Sequence, residues 1–338
     1  MNIIGIDVGG TKILGIRADE HGKIKSKLRW PTRGSDGLEA VLDRIAEMIE
    51  ELTPKGGVDA IGVGIPGPLD PAKGEVYNPP NLPGWETVPL RDELYKRLDL
   101  SRDTPIVLVN DANAAALAEF KFGAGTQPVN GKPVTHLVYF TISTGIGGGV
   151  VSDGKLFLGS AGMAAELGHI IIAVDGPRCY CGGIGCFEAM ASGTALAREG
   201  SMVMSGRRET SMAEAAGGDP KKVTAKIVVE AALSGDRAAC ELMQREGMLV
   251  GVGVVSCIHA FNPQLVVLGG GVTNAGDLLF DAVRATAEAR VMPGYRGTYE
   301  IVPAQLGGDS GALGAVAAAI DARGEGRGTR GEGRGVRG

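Results

Sequence analysis

Apolar and polar positions divide this chain into short strand-like runs alternating with longer stretches at helical spacing. Residues 2–6 alternate into a short apolar strand, a polar glycine turn occupies 7–12, and strands near 13–17 and 23–30 complete an antiparallel meander. Across Leu38–Leu52 the side chains of Leu38, Val41, Leu42, Ile45, Met48, Ile49 and Leu52 recur near helical spacing, which predicts an amphipathic helix. Ala60–Ile65 and 104–109 read as buried strands, the second leading into a helix over 112–122. A hairpin follows, from a strand over 136–142 back to Ser152. Downstream, helices over 224–233, Arg237–Phe261 and 278–291 alternate with strands over 264–268 and 299–302, before a small-residue helix over 311–322. The polar stretch 205–222 reads as a short helix with loops. Such alternation predicts an α/β fold.

Glycines sit where these strands turn. Asp7-Val8-Gly9-Gly10-Thr11-Lys12 joins the first two strands, Thr144-Gly145-Ile146-Gly147 the hairpin strands, and Gly269-Gly270-Gly271 ends the strand over 264–268. Glycine lets backbone N–H groups approach an anion, and threonine adds a hydroxyl. Two such turns facing each other would hold the phosphates of one nucleotide, and the third run would offer bare backbone to a base or ribose. Taken singly, each is equally an ordinary turn. Gly62-Val63-Gly64-Ile65-Pro66-Gly67 matches a dinucleotide fingerprint in form only, because Pro66, Pro68 and Pro71 forbid the helix that must follow. No G-x-x-x-x-G-K-[ST] occurs, which excludes a P-loop. Asp111 stands where a strand end meets a helix start, the place where α/β sheets bind ligands. A carboxylate there is also a good helix cap, and the residues alone leave both roles open. Asn78, between two proline-rich loops, is a ligand contact or a turn residue.

His169, Cys179, Cys181 and Cys186 fall in one short glycine-rich stretch, a donor set that suits a closed, structural Zn²⁺ site. The alternative is buried thiols, or a disulfide between two of them. Glu166 and Glu188 flank the site and would accept hydrogen bonds from a polyhydroxylated ligand, or be solvated surface carboxylates.

Length and charge narrow the class. A chain of 338 residues suggests two domains, its net charge of −5 argues against nucleic acid as partner, and 55 glycines fit a nucleotide-handling α/β protein. The N-terminus lacks a signal peptide's basic and apolar regions. The longest apolar stretch, 247–261, is too short to span a membrane, and its Gly247-x-x-x-Gly251 points to close helix packing in a core. Cys240 and Cys257 read as reduced core thiols, so a cytoplasmic location is expected. Residues 324–338 form a Gly/Arg/Glu tail without apolar anchors, expected to be disordered, with RNA binding the minor alternative.

In chain order, Asp7-x-Gly9-Gly10-Thr11, Asn110-Asp111-x-Asn113, Thr144-Gly145-x-Gly147, Glu166-Leu167-Gly168-His169 and Cys179-x-Cys181-x₄-Cys186 with Glu188 resemble the motifs of the ROK (repressor/open-reading-frame/kinase) family of sugar kinases. The likeness runs from the first strand to about Ala322. It implies an actin-like, hexokinase-type fold, two α/β domains of ribonuclease-H-like topology around a hinged cleft. The division it suggests is 1–112 plus about 303–322, a larger domain over 113–302 with the zinc loop, and a disordered tail over 323–338.

The resemblance also implies roles. Asp111 would be the general base for a sugar hydroxyl attacking the γ-phosphate of ATP, with Mg²⁺ and backbone donors stabilising charge. Gly67, Asn78, Asn110, Glu166, His169 and Glu188 would hold the sugar. Gly9, Gly10, Thr11, Lys12, Thr144, Gly145, Gly147, Gly269, Gly270 and Gly271 would hold the nucleotide. His169, Cys179, Cys181 and Cys186 would bind zinc, His169 using one ring nitrogen for the metal and the other for the sugar. DNA-binding members carry a winged helix-turn-helix ahead of the first strand, which here starts at residue 2, so a repressor is not expected. The loop 78–85 resembles glucokinase-like members, making D-glucose the first expected substrate. Kinases of N-acetylglucosamine, N-acetylmannosamine, mannose or fructose, or a non-catalytic sugar-binding regulator, are the alternatives. A homo-oligomer, dimer or tetramer, is expected.

Overall fold

The computed structural model describes residues 1–79, 81–206 and 209–331. Its chain folds into two units, one of Met1–Gly123, Leu156–Ala164 and Gly308–Gly338, the other of Ala124–Lys155 and Ala165–Gly307.

The first unit is built on β1 (Ile3–Val8), β2 (Lys12–Ala18), β3 (Ile24–Pro31), β4 (Ala60–Ile65) and β8 (Ile106–Asn110), in the order β3-β2-β1-β4-β8. The meander β1 to β3 is antiparallel, whereas β4 and β8 run parallel to β1. Helix α1 (Leu38–Leu52) buries Val41, Leu42, Ile45, Met48, Ile49 and Leu52, the face its periodicity marked. It lies so close to β2 that a Cβ on Gly15 would come 2.6 Å from Met48 Sδ. Helix α2 (Leu90–Leu98) and a small sheet of β5 (Leu69–Asp70), β6 (Glu75–Tyr77) and β7 (Thr87–Val88) fill a stretch whose apolar pattern shows no element. Two- and three-residue strands are too short to leave a periodic trace.

Helix α3 (Asp111–Phe122) and the chain's last helix, Ser310–Gly331, cover the sheet. Their contact excludes side chains: a Cβ on Gly314 would lie 1.8 Å from the Ala114 carbonyl oxygen, and one on Gly62 1.8 Å from that of Ala315. This packing keeps all of α3 in the first unit, so the units divide at Gly123 and not at residue 112 as expected. The last helix also runs beyond Ala322 into the tail read as disordered from residue 323; residues 332–338 of that tail lie outside the described residues. Extending a helix that is already packed needs no new nucleus, which offsets the poor helix propensity of the glycines.

The second unit repeats the sheet plan. Strands β9 (Leu137–Ile142), β10 (Ile146–Ser152), β11 (Lys155–Leu156), β12 (Leu265–Gly269) and β13 (Glu300–Pro303) take the order β11-β10-β9-β12-β13. Again a hairpin is antiparallel and two later strands join in parallel. The helices are α4 (Phe187–Ala191), α5 (Gly193–Ser205), α6 (Met212–Ala215), α7 (Ala225–Leu233), α8 (Arg237–Phe261) and α9 (Asp277–Arg290). Gly247 and Gly251 of α8 meet α9, where a Cβ would come 2.5 Å from Ala282 Cβ and 2.6 Å from Thr286 Cβ. The G-x-x-x-G pair thus serves close packing in a core, as its length suggested. Among the described residues no helix is long and apolar enough to cross a membrane.

Candidate active site

In the first unit, the ends of β1, β4 and β8 carry the chemistry. The turn after β1 is tight: the Gly9 N–H donates to the Lys12 carbonyl at 2.9 Å, and the Thr32 hydroxyl to the Gly9 carbonyl at 2.5 Å. Gly10 has no room for a side chain, since a Cβ would lie 2.7 Å from Asn81 Cβ. Thr11 is exposed and Lys12 half-buried.

At the end of β8, Asn110 caps α3, its Oδ1 accepting from the N–H groups of Ala112 (3.0 Å) and Asn113 (3.2 Å). Asp111, the first helical residue, is therefore not needed as the cap, although its Oδ1 also accepts from Ala112 N–H at 2.8 Å. Its carboxylate has an exposed surface, but the protein packed around it raises its pKa above the ordinary 3.8. Asp7, at the end of β1, is pushed up to about 6, first by burial and then by the charge of Asp111, with Lys12 pulling the other way. Gly311 gives Asp7 its space: a Cβ there would come 2.6 Å from Asp7 Cγ. Gly67 faces Asn110, with a Cβ position 3.3 Å from Asn110 Nδ2. Asn78 is exposed with φ 40°, and its N–H donates to the Glu86 carbonyl at 3.0 Å. Asp7 is the residue that motif reading left out of the site; the signal was present, a carboxylate opening the first glycine turn at a buried strand end.

In the second unit, the turn between β9 and β10 is held from several sides. Gly271 N–H donates to Ser143 Oγ at 3.2 Å, which brings the third glycine run to this turn. Thr144 and Gly271 both line a largely apolar cavity of about 750 Å³, walled by Val223, Val229, Leu233 and Val272. Gly147 lies in β10 opposite Thr141, and Gly269 is buried where a Cβ would meet Tyr139 Oη at 2.7 Å. Gly270, with φ 94°, makes the sharp exit from β12.

The ligand atoms of His169, Cys179, Cys181 and Cys186 all lie within 4.8 Å of one another. Cys181 Sγ and Cys186 Sγ are 3.6 Å apart, and Cys179 Sγ is 3.7 Å from His169 Nδ1. Tetrahedral zinc with Zn–S near ~2.3 Å has edges of about 3.8 Å, so the donors fit that ion, whereas a disulfide would need about 2.05 Å. Burial and the neighbouring sulfurs push the Cys186 thiol up to about 12, so without a cation it is held as the neutral thiol. Nδ1 of His169 faces the sulfurs, which frees Nε2 for another partner. Glu188 is half-buried and holds the Ile146 N–H at 2.9 Å, while Glu166 is exposed just ahead of the short helix Leu167–His169.

The chain matches the ROK family over residues 3–322. It is 40% identical over 319 residues to a glucokinase of Thermotoga maritima, covering 94% of this chain and 96% of that protein. The crystal structure of a ROK family glucokinase from Streptomyces griseus in complex with glucose and AMPPNP superposes with a TM-score of 0.79 at 32% identity, covering 95% of this chain and all of that one. A ROK hexokinase from Thermus thermophilus gives a TM-score of 0.77 at 34% identity over 96% of this chain and all of that one. With this match along nearly its whole length and the two-domain hexokinase-type fold of those structures, the chain belongs to the ROK family.

Proposed function

We propose that this chain is an ATP-dependent glucokinase, transferring the γ-phosphoryl group to the 6-hydroxyl of D-glucose to give glucose 6-phosphate. The likeness to two glucokinases supports the reaction. The observation that carries the mechanism is Asp111: with Asn110 capping α3, its carboxylate is left for chemistry. Asp111 takes the proton from the sugar hydroxyl as that oxygen attacks in line, and the burial that raises its pKa makes the carboxylate a stronger base than a solvated one. In the first unit Gly67, Asn78 and Asn110 are the proposed sugar contacts, and in the second unit Glu166, His169 Nε2 and Glu188 are those proposed for the anomeric end.

Each unit has its own candidate phosphate turn, Gly9–Lys12 in the first and Thr144–Gly145 in the second, and the apolar cavity beside Gly271 in the second unit takes the base. Asp7 and Asp111 are hard oxygen donors whose mutual repulsion a divalent cation relieves, which suits Mg²⁺; when bound it neutralises phosphate charge. The Cys₃His set holds a structural Zn²⁺. A cytoplasmic location and a homo-oligomer complete the reading, the first supported by the unpaired thiols of Cys240 and Cys257.

The test is ADP release with MgATP against glucose, mannose, fructose, N-acetylglucosamine and N-acetylmannosamine. Glucose should give the highest kcat/KM; preference for an N-acetyl sugar would move the substrate assignment, and turnover with none of them would defeat the kinase reading. Asp111→Asn should lower kcat by at least about 10²-fold while glucose still binds. A variant retaining more than a few per cent of the rate would exclude Asp111 as the base.

A further inference from the structure

We infer that the metal loop positions the turn that receives the nucleotide's phosphates, acting through Glu188 and the start of α5. The ligand Cys186 immediately precedes α4, and only Ser192 separates α4 from α5. On α4, Glu188 Oε2 accepts the Ile146 N–H at 2.9 Å, and Oε1 lies 3.8 Å from Cys179 Sγ. The same carboxylate sits hard against the turn, because a Cβ on Gly145 would lie 2.3 Å from Oε2. At the start of α5, the Gly193 N–H donates to the Ser143 carbonyl at 2.7 Å. Thr194 donates twice to the Thr144 carbonyl, from its N–H at 3.2 Å and its hydroxyl at 2.8 Å.

Residues 186–194 therefore tie one zinc ligand to the carbonyls of Ser143 and Thr144 and the amide of Ile146. Glu188 is in this respect a positioning residue. With Oε2 spent on a backbone amide, it fixes the turn's path whether or not sugar is present, and Oε1 remains for the sugar. Loss of the metal, or of the Glu188 carboxylate, then weakens nucleotide binding without any sugar in the assay. This rests on reading the turn as the phosphate site, as proposed above.

The experiment measures hydrogen exchange at the Ile146 amide, and ADP affinity without sugar, in wild type, chelator-treated protein, Glu188→Gln and Glu188→Ala. Chelation and Glu188→Ala should each speed exchange at Ile146 and weaken ADP binding about three- to tenfold, the net scale of one ordinary hydrogen bond. Glu188→Gln, whose amide oxygen still accepts the Ile146 N–H, should keep both near wild type while its glucose affinity falls. Unchanged exchange and ADP affinity in Glu188→Ala, with glucose binding alone reduced, would overturn the inference. If wild type bound no ADP, the phosphate reading would fail, and exchange at Ile146 would still decide the positioning claim. Should Glu188→Ala not fold, Thr194→Val removes only the hydroxyl clamp on Thr144; it should lower ADP affinity and spare glucose affinity, and the reverse pattern would overturn the inference.

Discussion

Glu246 sits in the middle of α8 with 3% of its surface exposed and no hydrogen-bond partner for Oε1. Burial raises its pKa from 4.5 to about 8; Arg245 opposes the rise and Glu199 adds to it. In the folded protein the carboxyl therefore stays protonated at pH values where the unfolded chain has already lost the proton. Stability from this group is complete below about pH 4.5 and is lost as pH rises towards 8, by at most about 5 kcal/mol. Glu246→Gln cannot ionise, so denaturant melts should show the variant gaining on wild type between pH 5 and pH 8. Parallel stability curves for the two proteins across that range would contradict this account. Asp111 shows how residue-scale reading reaches its limit in the sequence. Asn110 and Asp111 are both good cap residues, and only the hydrogen bonds of Asn110 Oδ1 assign the capping role.

The elements differ in how much of them the sequence announces. Long amphipathic helices such as α1, and the buried strands at the site, were legible because one buried face imposes a period on many residues. Helices α4 and α5 were not, since α5 opens on glycine and carries Gly200, packed against Val223 and Val228, in its middle. The metal loop was legible for a different reason: its donors are chemically distinctive, whereas its backbone is almost without regular structure. Its described pairing consists of the isolated bridges Ile171↔Cys186 and Arg178↔Ile184. Ile171, Val174, Tyr180 and Ile184 are exposed, so little apolar burial holds the loop. On the proposed zinc reading, metal ligation would add to the few backbone hydrogen bonds that order it, such as Cys179 N–H to the Gly183 carbonyl. Chelation should leave the far-UV circular dichroism nearly unchanged and speed tryptic cleavage after Arg178 by about tenfold or more, as local opening becomes easier. Equal cleavage rates with and without chelator would mean that the loop holds itself.

At the scale of the whole molecule, the first unit is assembled from distant parts of the chain, a fact invisible to local periodicity because it depends on packing across some 200 residues. The last helix buries Ala312, Leu313, Ala315, Val316, Ala317 and Ala319. At Gly5, Gly62 and Gly314 the chain has no side chain, and there the backbones come close enough that a Cβ would lie 2.1, 1.8 and 1.8 Å from a carbonyl oxygen. Burying these side chains contributes on the order of 5 kcal/mol, comparable to the net stability of a whole domain. The second unit keeps its own core, with Phe140, Phe187, Val250 and Val254 fully buried. Deleting residues 308–338 should therefore unfold the first unit selectively: amides of β1, β4 and β8 would lose exchange protection while those of β9 and β12 keep it. Gly62→Val makes the same point without truncation, since its side chain must displace the Ala315 carbonyl, and it should lower the stability of the first unit by several kcal/mol. If β1 and β4 stayed protected in both variants, the last helix would be a passive cover, and the small-residue contacts would have no part in holding Asp7 and Gly311 together.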